Sequence, residues 1–354
     1  MSRILCKMHI SKLDEVYLKL DVDSGLAREL SDYFTFEVPG ASFMPAYRNK
    51  VWDGKIRLFS IQTGKIYVGL LPYIEQFCST NEVEYILDGE VKDEKLNLQR
   101  RTTEDFIKSL RPTSNGKLLD IRDYQIDAVY TAIRKHRGLF LSPTASGKSL
   151  IIYAIVRYYN ILLGERKILI LVPTTSLVEQ MYSDFIDYGW SDDYLHRIYA
   201  GHERDTDKSV VISTWQSLYK MKKPYFKQFG CIIGDEAHLY KAKSLTTILT
   251  KLDMCKYRFG LTGTLDGTQT HQLILEGLFG SVQRVASTKE LMDRGTLAEL
   301  EIKCIVLRHT EEESKEIRGL SYAEEINYLV GHDRRNDFII NLCDNLEGNT
   351  LCLF

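Results

Sequence analysis

The stretch that most constrains this chain is Ser142-Pro143-Thr144-Ala145-Ser146-Gly147-Lys148-Ser149. It follows the apolar run Gly138-Leu139-Phe140-Leu141 and precedes a long segment of helical apolar spacing, Leu150 to Leu163. Strand, small-residue loop and helix in that order make a cradle for phosphate: loop N–H groups point inward and the helix N-terminus adds partial positive charge. In such a loop Lys148 reaches the β- and γ-phosphates and the Ser149 hydroxyl can hold Mg²⁺. The contacts fall on Thr144, Ala145, Ser146, Gly147, Lys148 and Ser149, and Ser142 stands where the strict pattern has its first glycine.

A second anchor is Asp235-Glu236-Ala237-His238, directly after the apolar run Cys231-Ile232-Ile233-Gly234. An acid at the end of a buried strand can hold Mg²⁺, which assigns Asp235 to the metal beside Ser149. The neighbouring carboxylate, Glu236, is then the candidate base for a water nucleophile. Chance gives these four letters only about 0.002 times in a chain of this size.

From Leu118 to about Leu307, apolar runs alternate with helical patterns. The runs are Gly138–Leu141, Lys167–Val172, Leu195–Tyr199, Val210–Ser213, Cys231–Gly234, Arg258–Thr262 and Ile302–Leu307; the helices between them include Tyr124–Lys135, Leu150–Leu163, Ser176–Tyr188 and Ser244–Leu252. Such alternation predicts a parallel sheet covered on both faces, with sites at the strands' carboxyl ends. Further polar stretches fall at those ends. Gln125, with Arg122 beside it, can read an adenine edge. Thr174 and Thr175 after Pro173, and Thr214 and Gln216 around Trp215, offer donors to a nucleic-acid backbone. Thr262, Gly263 and Thr264 can relay nucleotide state.

Residues 1–90 read as a small α+β domain, 91–117 as a linker with a short helix at Glu104 to Leu110, and 118–308 as the nucleotide-binding lobe. In the first of these, Ser24 to Phe34 has helical spacing and Asp53-Gly54 is a hairpin signal. Arg48 to Lys65 carries five basic residues and one acid, with Trp52 among them. Arg48, Lys50, Trp52, Lys55 and Arg57 are the candidate nucleic-acid contacts, against the alternative of a solvated hairpin over ordinary core. The net charge is only −2, so any such binding is local. No apolar stretch is long enough to cross a membrane, and the seven cysteines show no zinc spacing, which together read as a cytoplasmic protein with reduced thiols.

The order Gln125, Pro143–Ser149, Val172–Thr175, Ser213–Gln216, Asp235–His238 and Thr262–Thr264 resembles the first, RecA-like motor lobe of superfamily 2 helicases and translocases. The N-terminal stretch Phe43-x-Pro45-x-Tyr47-Arg48 with Trp52-Asp53-Gly54-Lys55-Ile56-Arg57-Leu58 sharpens the resemblance to the recombination and branch-migration helicases of T4-like bacteriophages. The resemblance implies an ATP- and Mg²⁺-dependent motor with Lys148, Asp235, Glu236 and His238 as catalytic residues and Thr262 to Thr264 in coupling. It also implies duplex or branched DNA as partner, a monomer, and work on stalled forks, Holliday junctions and R-loops in host cytoplasm. Members carry a second RecA-like lobe with arginines that reach the γ-phosphate; on this reading residues 309–354 are the interlobe linker and only the start of that lobe, so the chain is expected to be an incomplete motor. The other readings are a nucleotide-gated DNA-binding module without turnover and an RNA helicase. A P-loop kinase would leave Asp235–His238 and Thr214–Gln216 without a task.

Overall fold

The computed structural model describes residues 7–91, 97–239, 243–265, 269–295, 297 and 302–353. Contacts divide the chain into two compact units, one up to Ala298 and one from Glu299 on.

The first unit begins with β1 (Lys7–Lys12), β2 (Tyr17–Asp21), α1 (Ser24–Tyr33) and β3 (Thr35–Glu37). It continues with α2 (Pro45–Arg48), β4 (Lys55–Arg57), β5 (Lys65–Tyr67), α3 (Leu71–Thr80) and β6 (Glu84–Leu87). A four-stranded sheet of order β5-β2-β1-β6 buries Met8, Ile10, Leu18 and Leu20 on one face against α1 and α3. Helix α1 starts where Asp23 accepts from the Gly25 and Leu26 amides at 2.8 and 3.0 Å, satisfying two orphan donors of the first turn.

Asp53-Gly54 does not join two adjacent strands as expected. Strand β4 pairs antiparallel with β3 across the whole of 38–54, and Gly54, at φ +78°, only turns the chain into β4. The two-residue hairpin lies instead at Asn115-Gly116, between β7 (Thr113–Ser114) and β8 (Lys117–Leu118). Both turn residues have positive φ, 49° and 75°, as the strand twist demands of such a turn. That hairpin and α4 (Arg100–Ser109) occupy the stretch expected to be a linker. It is packed, not loose: Ile107 is buried in the main core, and Thr113 Oγ1 donates to the Asp187 carbonyl at 2.6 Å.

Next come α5 (Asp123–Lys135), β9 (Arg137–Leu141), α6 (Lys148–Leu163), β10 (Lys167–Val172), α7 (Thr175–Asp187), β11 (Leu195–Ile198), β12 (Val210–Thr214), α8 (Trp215–Leu218) and α9 (Lys223–Phe226). The unit closes with β13 (Phe229–Gly234), α10 (Lys243–Lys251), β14 (Tyr257–Thr262), α11 (Gln269–Phe279), β15 (Val282–Arg284) and α12 (Thr288–Asp293). The strands form one seven-stranded sheet of order β11-β12-β10-β13-β14-β9-β15, every pair parallel. Buried runs such as Ile168–Val172 and Cys231–Ile233 face helices on both sides, which is why they read as continuous apolar segments. Register aligns the carboxyl ends: Leu171 lies opposite Gly234, Gly234 opposite Gly260, and Thr262 opposite Leu141.

The expected last strand, Ile302–Leu307, is not one. Ile302, Ile305 and Val306 are exposed and unpaired with any strand among the described residues, and β15 takes the place beside β9. In the second unit, α13 (Glu311–Ile317), α14 (Tyr322–Val330) and α15 (Asp333–Asp344) are the described elements, and residues 349–353 form no strand.

The small sheet is docked on α11. A Cβ on Gly69 would lie 1.9 Å from the Glu276 carbonyl oxygen, so only glycine permits this approach. Leu273 of α11 sits in the small domain's core, and Tyr73 donates to the buried Glu276 carboxylate at 3.1 Å. Arg258, wholly buried on β14, donates to the carbonyls of Leu249, Leu252 and Leu278 at 2.8, 3.0 and 2.8 Å. It thereby caps the carboxyl ends of α10 and α11; burial lowers its pKa to about 10, which still leaves it charged at neutral pH.

Candidate nucleotide pocket and nucleic-acid face

The loop between β9 and α6 is shaped by two left-handed residues, Ala145 at φ 63° and Gly147 at φ 79°. A left-handed alanine is strained, and such strain gathers at functional loops. Ser142 is fully buried, and its hydroxyl meets that of Ser146 at 2.6 Å while Ser146 donates to the Pro143 carbonyl. The serine at the usual glycine position is therefore accommodated by a hydrogen bond inside the loop.

Gln125 is only 4% exposed and both ends of its amide are engaged. Its Nε2 donates to the Ser146 carbonyl at 2.9 Å and its Oε1 accepts from the Arg122 amide at 3.0 Å. Gln125 thus ties the start of α5 to the phosphate loop, at the place where a Gly147 Cβ would meet Nε2 at 2.3 Å. Arg122 reaches the same loop: it donates to Tyr124 Oη at 2.6 Å and to the Ala145 carbonyl at 3.4 Å. The Arg294 guanidinium lies over the Tyr124 ring at 5.7 Å, a cation the sequence placed nowhere near this site.

At the carboxyl ends of β13 and β14 the chemistry converges on the loop. Lys148 Nζ pairs with Glu236 Oε1 at 2.5 Å, Glu236 Oε2 lies 3.4 Å from His238 Nδ1, and His238 Nδ1 is 2.9 Å from Thr262 Oγ1. Thr262 Oγ1 donates its proton to the Thr264 carbonyl at 2.8 Å. The hydroxyl is then an acceptor toward His238, which assigns the imidazole proton to Nδ1. Glu236 achieves this with a left-handed backbone, φ 47°. Asp235 is buried at the base of the group; desolvation raises its pKa and the Lys148 charge opposes that rise.

The Ser149 hydroxyl lies close enough to Asp184 of α7 and to Tyr188 to favour their charged forms slightly. Burial raises the pKa of Asp184. This carboxylate lay in an ordinary amphipathic helix pattern, so the sequence offered no signal for it.

The strand ends of β10 and β12 adjoin: Val172 lies opposite Thr214, and Gln216 Nε2 reaches the Pro173 carbonyl at 3.5 Å. Thr174 is the N-cap of α7, accepting from the Leu177 amide, and Thr174 and Thr175 are exposed. Thr214 is a correction: it is 4% exposed and its hydroxyl bonds Ser217, so its side chain is not presented to a ligand. On the small domain, β4 turns Lys55 and Arg57 outward and Ile56 toward the core. Asp53 holds Arg57 at 2.5 Å, and that bond keeps the Asp53 carboxyl below its usual pKa. Trp52 is tied by its Nε1 to the Lys55 carbonyl at 2.8 Å.

Two family models match the chain: the N-terminal domain of the DNA helicase UvsW over residues 7–88, and the res subunit of type III restriction enzymes over 118–267. The ATP-dependent DNA helicase uvsW of Enterobacteria phage T4 is 35% identical over 349 residues, 96% of this chain and 69% of the relative. The chain belongs to the UvsW family of ATP-dependent DNA helicases. A crystal structure of T4 UvsW superposes with TM-score 0.73 at 33% identity, covering 95% of this chain and 67% of that one. A second, of the UvsW helicase from bacteriophage T4, gives 0.72 at 34%, with 78% and 99% covered. The DNA 3'-5' translocase XPB2 of Sulfurisphaera tokodaii is 28% identical over 237 residues, 67% of this chain and 49% of the relative. The RecA-like lobe and the small mixed domain before it are those of this family. Among the described residues no helix is long and apolar enough to cross a membrane.

Proposed function

We propose that this UvsW-family chain binds ATP with Mg²⁺ on the β9–α6 loop and couples it to movement on branched DNA. The tasks are fork regression, Holliday junction migration and R-loop unwinding in phage recombination, repair and replication, carried out by a monomer in host cytoplasm. The observation that carries this reading is the continuous polar chain Lys148–Glu236–His238–Thr262–Thr264. It links the ammonium that would meet the γ-phosphate to a segment at the end of β14.

The residues fit such a ligand. The lysine at the helix start is paired with Glu236, a partner that phosphate oxygens can displace. Displacement frees Glu236 to take a proton from water, and it turns His238 on Thr262, so phosphate occupancy is felt at 262–264. Asp235 and the Ser149 hydroxyl would hold the Mg²⁺; the ion supplies positive charge to the phosphate oxygens. Arg122 would face the base, while Gln125 keeps the loop in shape. Lys55, Arg57, Arg48 and Lys50, with Thr174, Thr175 and Gln216, would follow the DNA backbone.

Arginines that reach a γ-phosphate contribute ~10³–10⁵ in turnover where NTPases use them. The reading assigns that part to no arginine of residues 118–297. The test is ATPase rate and nucleotide binding with and without forked DNA, beside Lys148→Ala and with RNA as competitor. Nucleotide binding lost in the lysine variant, and fork preferred to RNA, supports the reading. Binding indifferent to Lys148 overturns it, and tighter RNA binding favours the RNA helicase.

A further inference from the structure

Resting on the DNA-binding reading above, we infer that the loop 38–54 is a wedge that enters the base stack at a branch point. The loop leaves the small domain between β3 and β4 and is stitched internally. The Val38 amide donates to the Gly54 carbonyl at 2.8 Å, Val51 to Ala46 at 3.0 Å, and Arg48 Nε to the Ser42 carbonyl at 3.3 Å. The Tyr47 ring packs on Gly54, where a Cβ would come within 3.0 Å of it. Lys50 takes a left-handed turn, φ 55°.

On this braced frame the apolar tips face outward. Phe43 is 76% exposed and Val51 82%, with Met44 beside Phe43 half in solvent. Single exposed apolar residues are ordinary, but several on one braced loop mark a surface made for a partner. Charge selects the partner. Arg48 and Lys50 flank the tips, and the acids at the loop's base, Asp53 and Glu37, are paired with Arg57 and Lys55. Apolar tips between cations suit stacked bases bordered by phosphates, not another protein's apolar core. Inserting an apolar side chain between base steps is least costly where pairing already ends, so a duplex junction is the fitting site.

The arrangement divides labour: cations supply affinity and are indifferent to branch position, whereas Phe43 and Val51 act only where a base step opens. The experiment uses the full chain and a forked DNA carrying 2-aminopurine either at the junction or deep in the duplex arm. Fluorescence reports unstacking, and anisotropy of an end label reports binding. The expected result is a fluorescence rise at the junction only, abolished by Phe43→Ser with Val51→Ser while fork affinity falls by no more than about ten-fold. Phe43→Leu with Val51 intact restores the rise. An unchanged rise in the double variant, or an equal response from the interior probe, overturns the wedge. A rise absent in the wild type despite fork binding does the same. Failure of the wild type to bind the fork at all sinks the DNA-binding reading itself. Both side chains are exposed, so their loss leaves the core intact, and equal melting temperatures of wild type and variant check this.

Discussion

Glu236→Gln should make this chain bind nucleotide more tightly while stopping turnover. In the structure Glu236 neutralises Lys148 across 2.5 Å, with the two side chains 28% and 17% exposed. At an effective dielectric constant of ~20 those charges attract by roughly 6–7 kcal/mol before desolvation. Desolvation returns most of this, and a charged hydrogen bond keeps a net ~1.5–3 kcal/mol. Incoming phosphate must break that bond. Glutamine retains a neutral hydrogen bond of about half the strength, so the variant should favour nucleotide by ~1–1.5 kcal/mol, or about ten-fold in Kd. Removing a negative charge from beside the phosphates acts in the same direction. Loss of the general base should lower any DNA-stimulated hydrolysis by ~10²–10⁴. The assay is a fluorescent-nucleotide titration with Mg²⁺, set against single-turnover hydrolysis. Equal or weaker binding by a variant that melts like the wild type would refute the displacement argument and with it the coupling route through His238.

Reversing Lys55 and Arg57 to Glu should weaken fork binding and flatten its salt dependence, leaving nucleotide affinity unchanged; Asp53→Ala, which releases Arg57, should act oppositely. Equal fork binding by all three proteins in a salt titration removes β4 from the interface. Arg258→Met strands three buried carbonyls and should cost ~3–5 kcal/mol, read as a large fall in the denaturant midpoint. Asp184 gives a pH signature. Its folded pKa is raised by burial above the unfolded value, so the folded state binds the proton more tightly and stability from this group is lost as pH rises through the interval between them. Asp184→Asn should therefore melt higher than wild type at neutral pH, and the advantage should shrink as pH falls toward the ordinary carboxylate range. A constant difference from acid to neutral pH contradicts the assignment.

Much of the motor lobe was legible from local pattern. Helices α5, α6, α7 and α10 begin and end within two residues of where apolar spacing puts them, and six of the seven parallel strands coincide with apolar runs. Each follows from side-chain burial within one segment, which periodicity reports directly. The loop at Ser142–Ser149 and the acids at Asp235-Glu236 were legible for the same reason: a small-residue turn or an acid after a buried run has few uses.

Partners were not legible, because burial says that a segment is covered but not by what. Asp53-Gly54 carries hairpin chemistry, yet β4 finds β3 across a 17-residue loop, while Asn115-Gly116 makes the tight turn within a stretch polar enough to pass for a linker. Ile302–Leu307 has strand composition, but the edge beside β9 is filled by β15. Gln125 carries the right amide for a base, and the fold engages one end with the loop and the other with the start of α5. The docking of the small sheet on α11 hangs on Gly69, whose missing Cβ matters only because Glu276 arrives 207 positions later. The sequence by itself determined which segments are strands, helices and phosphate loop, since those depend on neighbours within a few residues. Only the tertiary structure decided that Lys148, Glu236, His238 and Thr262 form one chain of contacts, because three parallel strands had to be set side by side before their ends could meet.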